Sequence, residues 1–199
     1  MINTNHIVDM PDGYRLTRST PDNPIGSTCF ESSTSATQSK IRIYSIPYDI
    51  SFLSKDKHKC IEDIYASLNA NEAIIEVLLG ETNEGNDYIY KIQKNKNGLN
   101  EETYTLIMQI AYEHSVLNID GFFTGIGREG SRKSSMTKRI INEDCICDGA
   151  DNRLSDPYNK NHNRLYLMNI SELSIYDKIF KDNPLSMCRS LVDYIIKTK

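Results

Sequence analysis

The sequence predicts an α+β domain: a single antiparallel sheet of about six or seven strands with helices packed on its faces, one of them at the C-terminus. Three observations support that class. Apolar and polar residues alternate with the period of a half-buried strand in Ile41–Ile46, Ile75–Leu79 and Tyr88–Gln93. Most strand-like segments are separated by only a few turn-forming residues, as antiparallel neighbours allow and parallel ones do not. Helical spacing of apolar residues is confined to a few segments, one in the first half of the chain and the others near the C-terminus.

In chain order, Pro11-Asp12-Gly13 is a turn, Tyr14–Arg18 is extended, Pro21-Asp22-Asn23-Pro24 turns again, and Cys29-Phe30 opens a second strand. A Ser/Thr-rich connection then leads to the strand Ile41–Ile46, which Pro47 stops. Ser54 is placed to cap a helix in which Cys60, Ile61, Ile64, Tyr65 and Leu68 share a face, with its end at Asn69 to Asn71. Two hairpins follow. Ile75–Leu79 pairs with Tyr88–Gln93, Asn97-Gly98 turns the chain, and Tyr104–Tyr112 pairs with Val116–Thr124 across Glu113-His114-Ser115. From Gly125 to Asn163 polar residues dominate, which predicts loops with one short helix at Met136–Ile141. A last strand at Arg164–Asn169, a helix capped by Ser171 through Phe180, and a helix opened by Asp182-Asn183-Pro184 complete the chain; in the last, Leu185, Cys188, Leu191, Val192 and Ile195 share a face. The organisation expected is a flexible N-terminus over residues 1–10 and a single domain over 11–199 with a polar, loop-rich insertion at 125–163.

Bulk composition narrows the function classes. Hydrophobic residues make up 39% and charged ones 25%, as in ordinary globular chains. Lys and Arg number 23 against 27 Asp and Glu, a net charge of −4, so no global field draws the chain to nucleic acid or to an acidic membrane. With no Trp and 12 Tyr, tyrosine and the aliphatics must fill the core. The start lacks the basic and apolar regions of a secretion signal, and apolar runs such as Ala73–Leu79 fall well short of a membrane span. Cys29, Cys60, Cys145, Cys147 and Cys188 form no disulfide framework and read as reduced thiols. The expected location is the cytoplasm, with no membrane association and no disulfide-linked partner.

The opening Pro11-Asp12-Gly13-Tyr14, the strand Ile41–Ile46 running into Pro47, the helix after it and the hairpins up to Gly121-Phe122-Phe123 give the chain a further reading. In these it resembles the fold shared by the photosystem PsbP subunit, the yeast Ran-release factor and a group of small bacterial proteins, some of them immunity proteins against secreted toxins. The resemblance covers roughly residues 10 to 125 and the final helix. It implies a sheet-and-helix scaffold of mixed function, with no catalytic residues to carry over.

Five constellations could carry chemistry. Gly125-Ile126-Gly127-Arg128-Glu129-Gly130 fits G-x-G-x-x-G after a predicted strand, yet that strand lies in a meander and Ser131–Lys138 has no apolar helical face. The same loop carries Arg128, Arg132, Lys133, Lys138 and Arg139 against Glu129 alone. Such a patch could meet an anion or an acidic partner; it has no aromatic residue to stack a base, so nucleic acid is not the expected ligand, and a solvated charged loop is the plain reading. Glu143, Asp144, Cys145, Cys147, Asp148 and Asp151, with His162 beyond, gather ligand types, but no second cysteine pair closes a zinc site and the aspartates miss an EF-hand loop. His58 and Cys60 lie two apart on a helix and point to different faces, and Glu101-Glu102 reads as a solvated turn. No catalytic set, metal site or cofactor is therefore expected. The leading expectation is a non-enzymatic protein-binding module that presents its sheet face or its Gly125 to Asn163 region to another macromolecule, such as an immunity protein that neutralises a toxin. Its rivals are an enzyme or nucleotide- or anion-binding protein using Gly125, Gly127, Arg128, Gly130, Arg132, Lys133, Lys138 and Arg139, and a subunit that self-assembles by a sheet edge.

Overall fold

Alternating residues become the two faces of one sheet. The computed structural model describes residues 8–47, 56–69, 71–96, 102–127, 132, 157–158 and 169–199. Seven strands, β1 (Arg15–Thr17), β2 (Thr28–Ser33), β3 (Thr37–Pro47), β4 (Glu72–Glu81), β5 (Asp87–Lys96), β6 (Glu102–Ala111) and β7 (Ser115–Gly125), pair antiparallel throughout in the order β1-β2-β3-β7-β6-β5-β4. Two meanders, β1 to β3 and β4 to β7, are joined where β3 lies along β7 from Thr37↔Gly125 to Pro47↔Ser115. Between the meanders runs helix α1 (Lys57–Ser67), and the chain closes with α2 (Pro184–Thr198).

One sheet face meets α2. Ile41 and Ile43 of β3, Tyr104, Leu106 and Met108 of β6, and Leu117, Ile119 and Phe123 of β7 bury against Leu185, Cys188, Leu191, Val192 and Ile195, the shared face that the helical spacing predicts. Each such side chain contributes about 1.5–3 kcal/mol. Asn183 caps α2 through Leu185 N–H at 3.2 Å, with Pro184 in the first turn. At the other end, Asn83 and Glu84 of the β4–β5 turn donate to the carbonyls of Ile196 (3.0 Å) and Lys199 (2.6 Å), acceptors that a helix end leaves open. α1, capped by Asp56, packs Ile61, Ile64, Tyr65 and Leu68 with Ile74, Val77 and Leu79 of β4. A bulge after Ile74 sends Ile75 into the α2-side core while Ile74 and Val77 join α1.

Several expectations need correction. The Ser/Thr-rich stretch is mostly strand: Ser32↔Ser39 and Ser33↔Gln38 are paired, and only residues 34–36 connect β2 to β3. Thr37 and Ser39 turn small hydroxyls inward, Ser39 Oγ donating to Ser32 O at 3.3 Å, at positions where an apolar residue is normally sought. Helix α1 is capped by Asp56, while Ser54 lies outside the described residues. No helix capped by Ser171 forms. Two short 3₁₀ turns, Ile170–Glu172 and Ser174–Tyr176, take its place, opened by a capping box between Asn169 and Glu172, because the buried Glu172 carboxylate is held at the sheet. At the N-terminus Val8 joins the core and Met10 packs on it. The expected helix at Met136–Ile141, the turn at Asn97-Gly98 and residues 164–168 of the expected last strand lie outside the described residues. No helix among the described residues is long and apolar enough to cross a membrane.

Candidate functional site

The glycine-rich basic loop leaves the sheet at its β7 end. Gly125 closes the strand opposite Thr37, and Ile126 N–H donates to Ala36 O at 2.8 Å, so the chain is tied to the β2–β3 turn as it departs. Gly127 has φ +61 with open space around the position of a Cβ, a conformation that glycine adopts freely. Arg128, Gly130, Lys133, Lys138 and Arg139 lie outside the described residues, as do Cys145, Cys147 and their acidic neighbours. Among the described residues no cluster of three metal-ligating side chains occurs.

Arg132 is not on a solvated loop. It is 1% exposed, and its guanidinium donates to Asn183 Oδ1 (2.8 Å), Ser171 O (3.0 Å), Asp177 and Ser186 Oγ, with the Phe180 ring 5.8 Å away. Burial of a cation is tolerable here because the planar fork meets acceptors on every side. The network continues through Arg189, whose Nε donates to Glu76 Oε2 at 2.9 Å and whose Nη1 reaches Glu172 O at 2.9 Å and Asp177 Oδ2 at 3.3 Å. Burial works against the Arg189 charge, but Glu76 and Asp177 outweigh it and hold its pKa above the ordinary value. Tyr90 donates to Glu76, and burial, then this carboxylate, raises its phenol pKa. Glu172 accepts from Lys94 Nζ and Tyr104 Oη, each at 2.6 Å. Charges alternate and are paired, so this cluster braces the segment before α2 against the sheet. Cys188, fully buried beside it, has its thiol pKa raised by burial and is an inert hydrophobe; Cys60 on α1 is likewise buried.

The sheet face away from α2 is different in kind. Lateral rows across β3, β7, β6 and β5 read Tyr44–Asn118–Gln109–Ile89, Arg42–Asp120–Ile107–Lys91 and Lys40–Phe122–Thr105–Gln93. Arg42 Nη2 and Nε donate to Asp120 Oδ2 at 2.5 and 3.2 Å, Nη1 reaches Asn23 Oδ1 at 3.4 Å, and the guanidinium lies 5.7 Å from the Tyr44 ring. Gln109 Nε2 donates to Asn118 Oδ1 at 2.7 Å. Burial, then Asp120, raises the Tyr44 pKa, and burial lowers that of Lys91 against the pull of Glu72. Towards β3 the face opens: Gln38 and Lys40 are exposed, and Phe122 stands 44% exposed among them. A fixed Arg–Asp pair, a half-buried Tyr and an exposed Phe on a rigid sheet suit contact with another surface. The sequence points to a sheet face as one of two contact surfaces but singles out none of these residues. The available signal was the polar half of each alternation, Arg42 and Tyr44 in β3 and Asn118, Asp120 and Phe122 in β7.

No family model and no curated protein matches the chain. Among solved structures it is similar to the solution structure of cyanobacterial PsbP (CyanoP) from Synechocystis sp. PCC 6803, at 13% identity, over 66% of this chain and 78% of that one, with a TM-score of 0.37. A likeness at that level carries nothing about partner or chemistry.

Proposed function

We propose that the chain is a non-enzymatic protein-binding module that acts in the cytoplasm and docks its partner on the sheet face opposite α2, in the manner of an immunity protein covering a toxin. The observation that carries the reading is Phe122, 44% exposed beside Lys40 and Thr105 on a face that also carries Arg42 and Tyr44. Aromatic and Arg side chains dominate binding energy at protein interfaces, and a polar surround provides hydrogen bonds at the rim. Because these residues sit on paired strands, little ordering cost attends docking. The tyrosines that the composition suggests for contact are mostly needed elsewhere: Tyr88, Tyr90 and Tyr104 belong to the core. Arg132, counted in the anion-binding rival, has its donors occupied within the fold, which weakens that rival.

The test compares the tagged chain with its Phe122→Glu variant, each purified from its own cells and followed by mass spectrometry. A single stoichiometric partner should accompany the unaltered chain and be lost from the variant, whose thermal transition should not move because Phe122 lies outside the core. A partner retained by Phe122→Glu puts the contact elsewhere, and a chain that never carries a partner removes the module reading.

A further inference from the structure

The two edges of the described sheet are unequal. β1 has three residues, too few to template another strand, whereas β4 has ten. At the middle of β4, Val77 N–H donates to the Tyr158 hydroxyl at 2.6 Å, and the same hydroxyl donates back to Val77 O at 3.3 Å. Both backbone groups of Val77 therefore turn away from β5, and they are the groups a further strand would engage. The Tyr158 ring packs, partly buried, against the cluster that Ile74 and Val77 of β4 form with Ile64 and Leu68 at α1, which positions its hydroxyl at the strand.

We propose that Tyr158 is a latch on the β4 edge, and that its release opens β4 to antiparallel pairing with β4 of a second copy of this chain. A second copy fits the sequence of the strand. With Val77 opposite its counterpart, Glu76 stands opposite Leu78, so no carboxylate directly faces another at the centre of the new ladder. Leu78, 40% exposed, gives that ladder an apolar contact. One hydroxyl thus occupies the donor and the acceptor from which strand addition would start.

Hydrogen exchange and light scattering test the latch together. In the unaltered chain the Val77 amide should be protected like an interior amide, and the chain should not pair through β4. Tyr158→Phe should speed exchange at Val77 by about tenfold, the equivalent of one ordinary hydrogen bond, and should double the scattering mass as concentration rises. Adding Leu78→Lys should return that variant to a monomer, since a lysine on an edge strand opposes pairing. A Val77 amide that exchanges freely in the unaltered chain overturns the latch without recourse to any variant. So does a natively folded Tyr158→Phe chain that stays monomeric at every concentration, or a dimer that Leu78→Lys leaves intact.

Discussion

Arg132 donates to four acceptors drawn from the segment before α2 and from the first turn of that helix. Its neighbours in sequence are Ser131 and Lys133, and nothing local separates it from the other cations of the loop. Its partners lie 39 to 54 positions later, at Ser171, Asp177, Asn183 and Ser186, and only the folded chain brings them together. Replacing it leaves the buried Ser171 carbonyl and Asn183 cap each short of a donor, and the partly exposed Asp177 carboxylate with only Arg189 and Ser186. Arg132→Ala should therefore cost about 3–5 kcal/mol, the usual penalty for breaking a buried pair. Arg132→Lys should recover only part of that, because an ammonium cannot serve the same forked set of acceptors. Urea midpoints with an unchanged slope measure both; an Arg132→Ala midpoint equal to the parent's would mean that the residue contributes nothing to the brace.

At the scale of elements, what the sequence shows is the period, and what it hides is the register. The alternation in Ile41–Ile46, Tyr88–Gln93 and Val116–Thr124 and the spacing in α2 were legible because each is local. That β3 lies along β7 was not, since their paired residues are 68 to 88 positions apart and no turn connects them. The candidate face depends on that register: Arg42 meets Asp120, and Lys40 meets Phe122, only through β3–β7 pairing. Gly121 makes the same point from the α2 side. It stands in β7 between Ile41 and Leu106 of the adjoining strands, and an added Cβ would come within 2.8 Å of Phe123 Cε2, 3.1 Å of Ile41 Cδ1 and 3.3 Å of Leu106 Cβ. The glycine in Asp120-Gly121-Phe122 is thus a packing requirement of three strands. Gly121→Ala should destabilise by about 1–3 kcal/mol through overpacking. A thermal midpoint at or above the parent's would show that the core yields there without cost.

Over the whole molecule, a core without Trp leans on tyrosines, and that gives the fold a weakness to alkali. Burial is the first cause of a raised phenol pKa at Tyr14, pushed up to about 12, and at Tyr44, Tyr88, Tyr90 and Tyr112. A phenol that titrates later in the folded chain keeps a proton that the unfolded chain has already lost. Its contribution is therefore complete below the ordinary value of 10.0 and falls as pH rises from there, through about 12 for Tyr14. Cys188 acts in the same direction from its ordinary 9.0 upward, because burial raises the thiol. Lys91 opposes them: its lowered pKa lets the folded chain shed a proton first, which adds stability only up to the ordinary 10.5. Five tyrosines and a thiol outweigh one amine, so the urea midpoint should hold level to about pH 9 and drop with increasing steepness above about pH 10. Tyrosinate absorbance of Tyr88 and Tyr90, the two of these rings that lie in the core, should appear together with loss of the β-sheet circular dichroism. Full phenol titration near pH 10 with the sheet signal intact would mean that these rings meet water in the native chain, and the closed, tyrosine-filled interior would have to be abandoned.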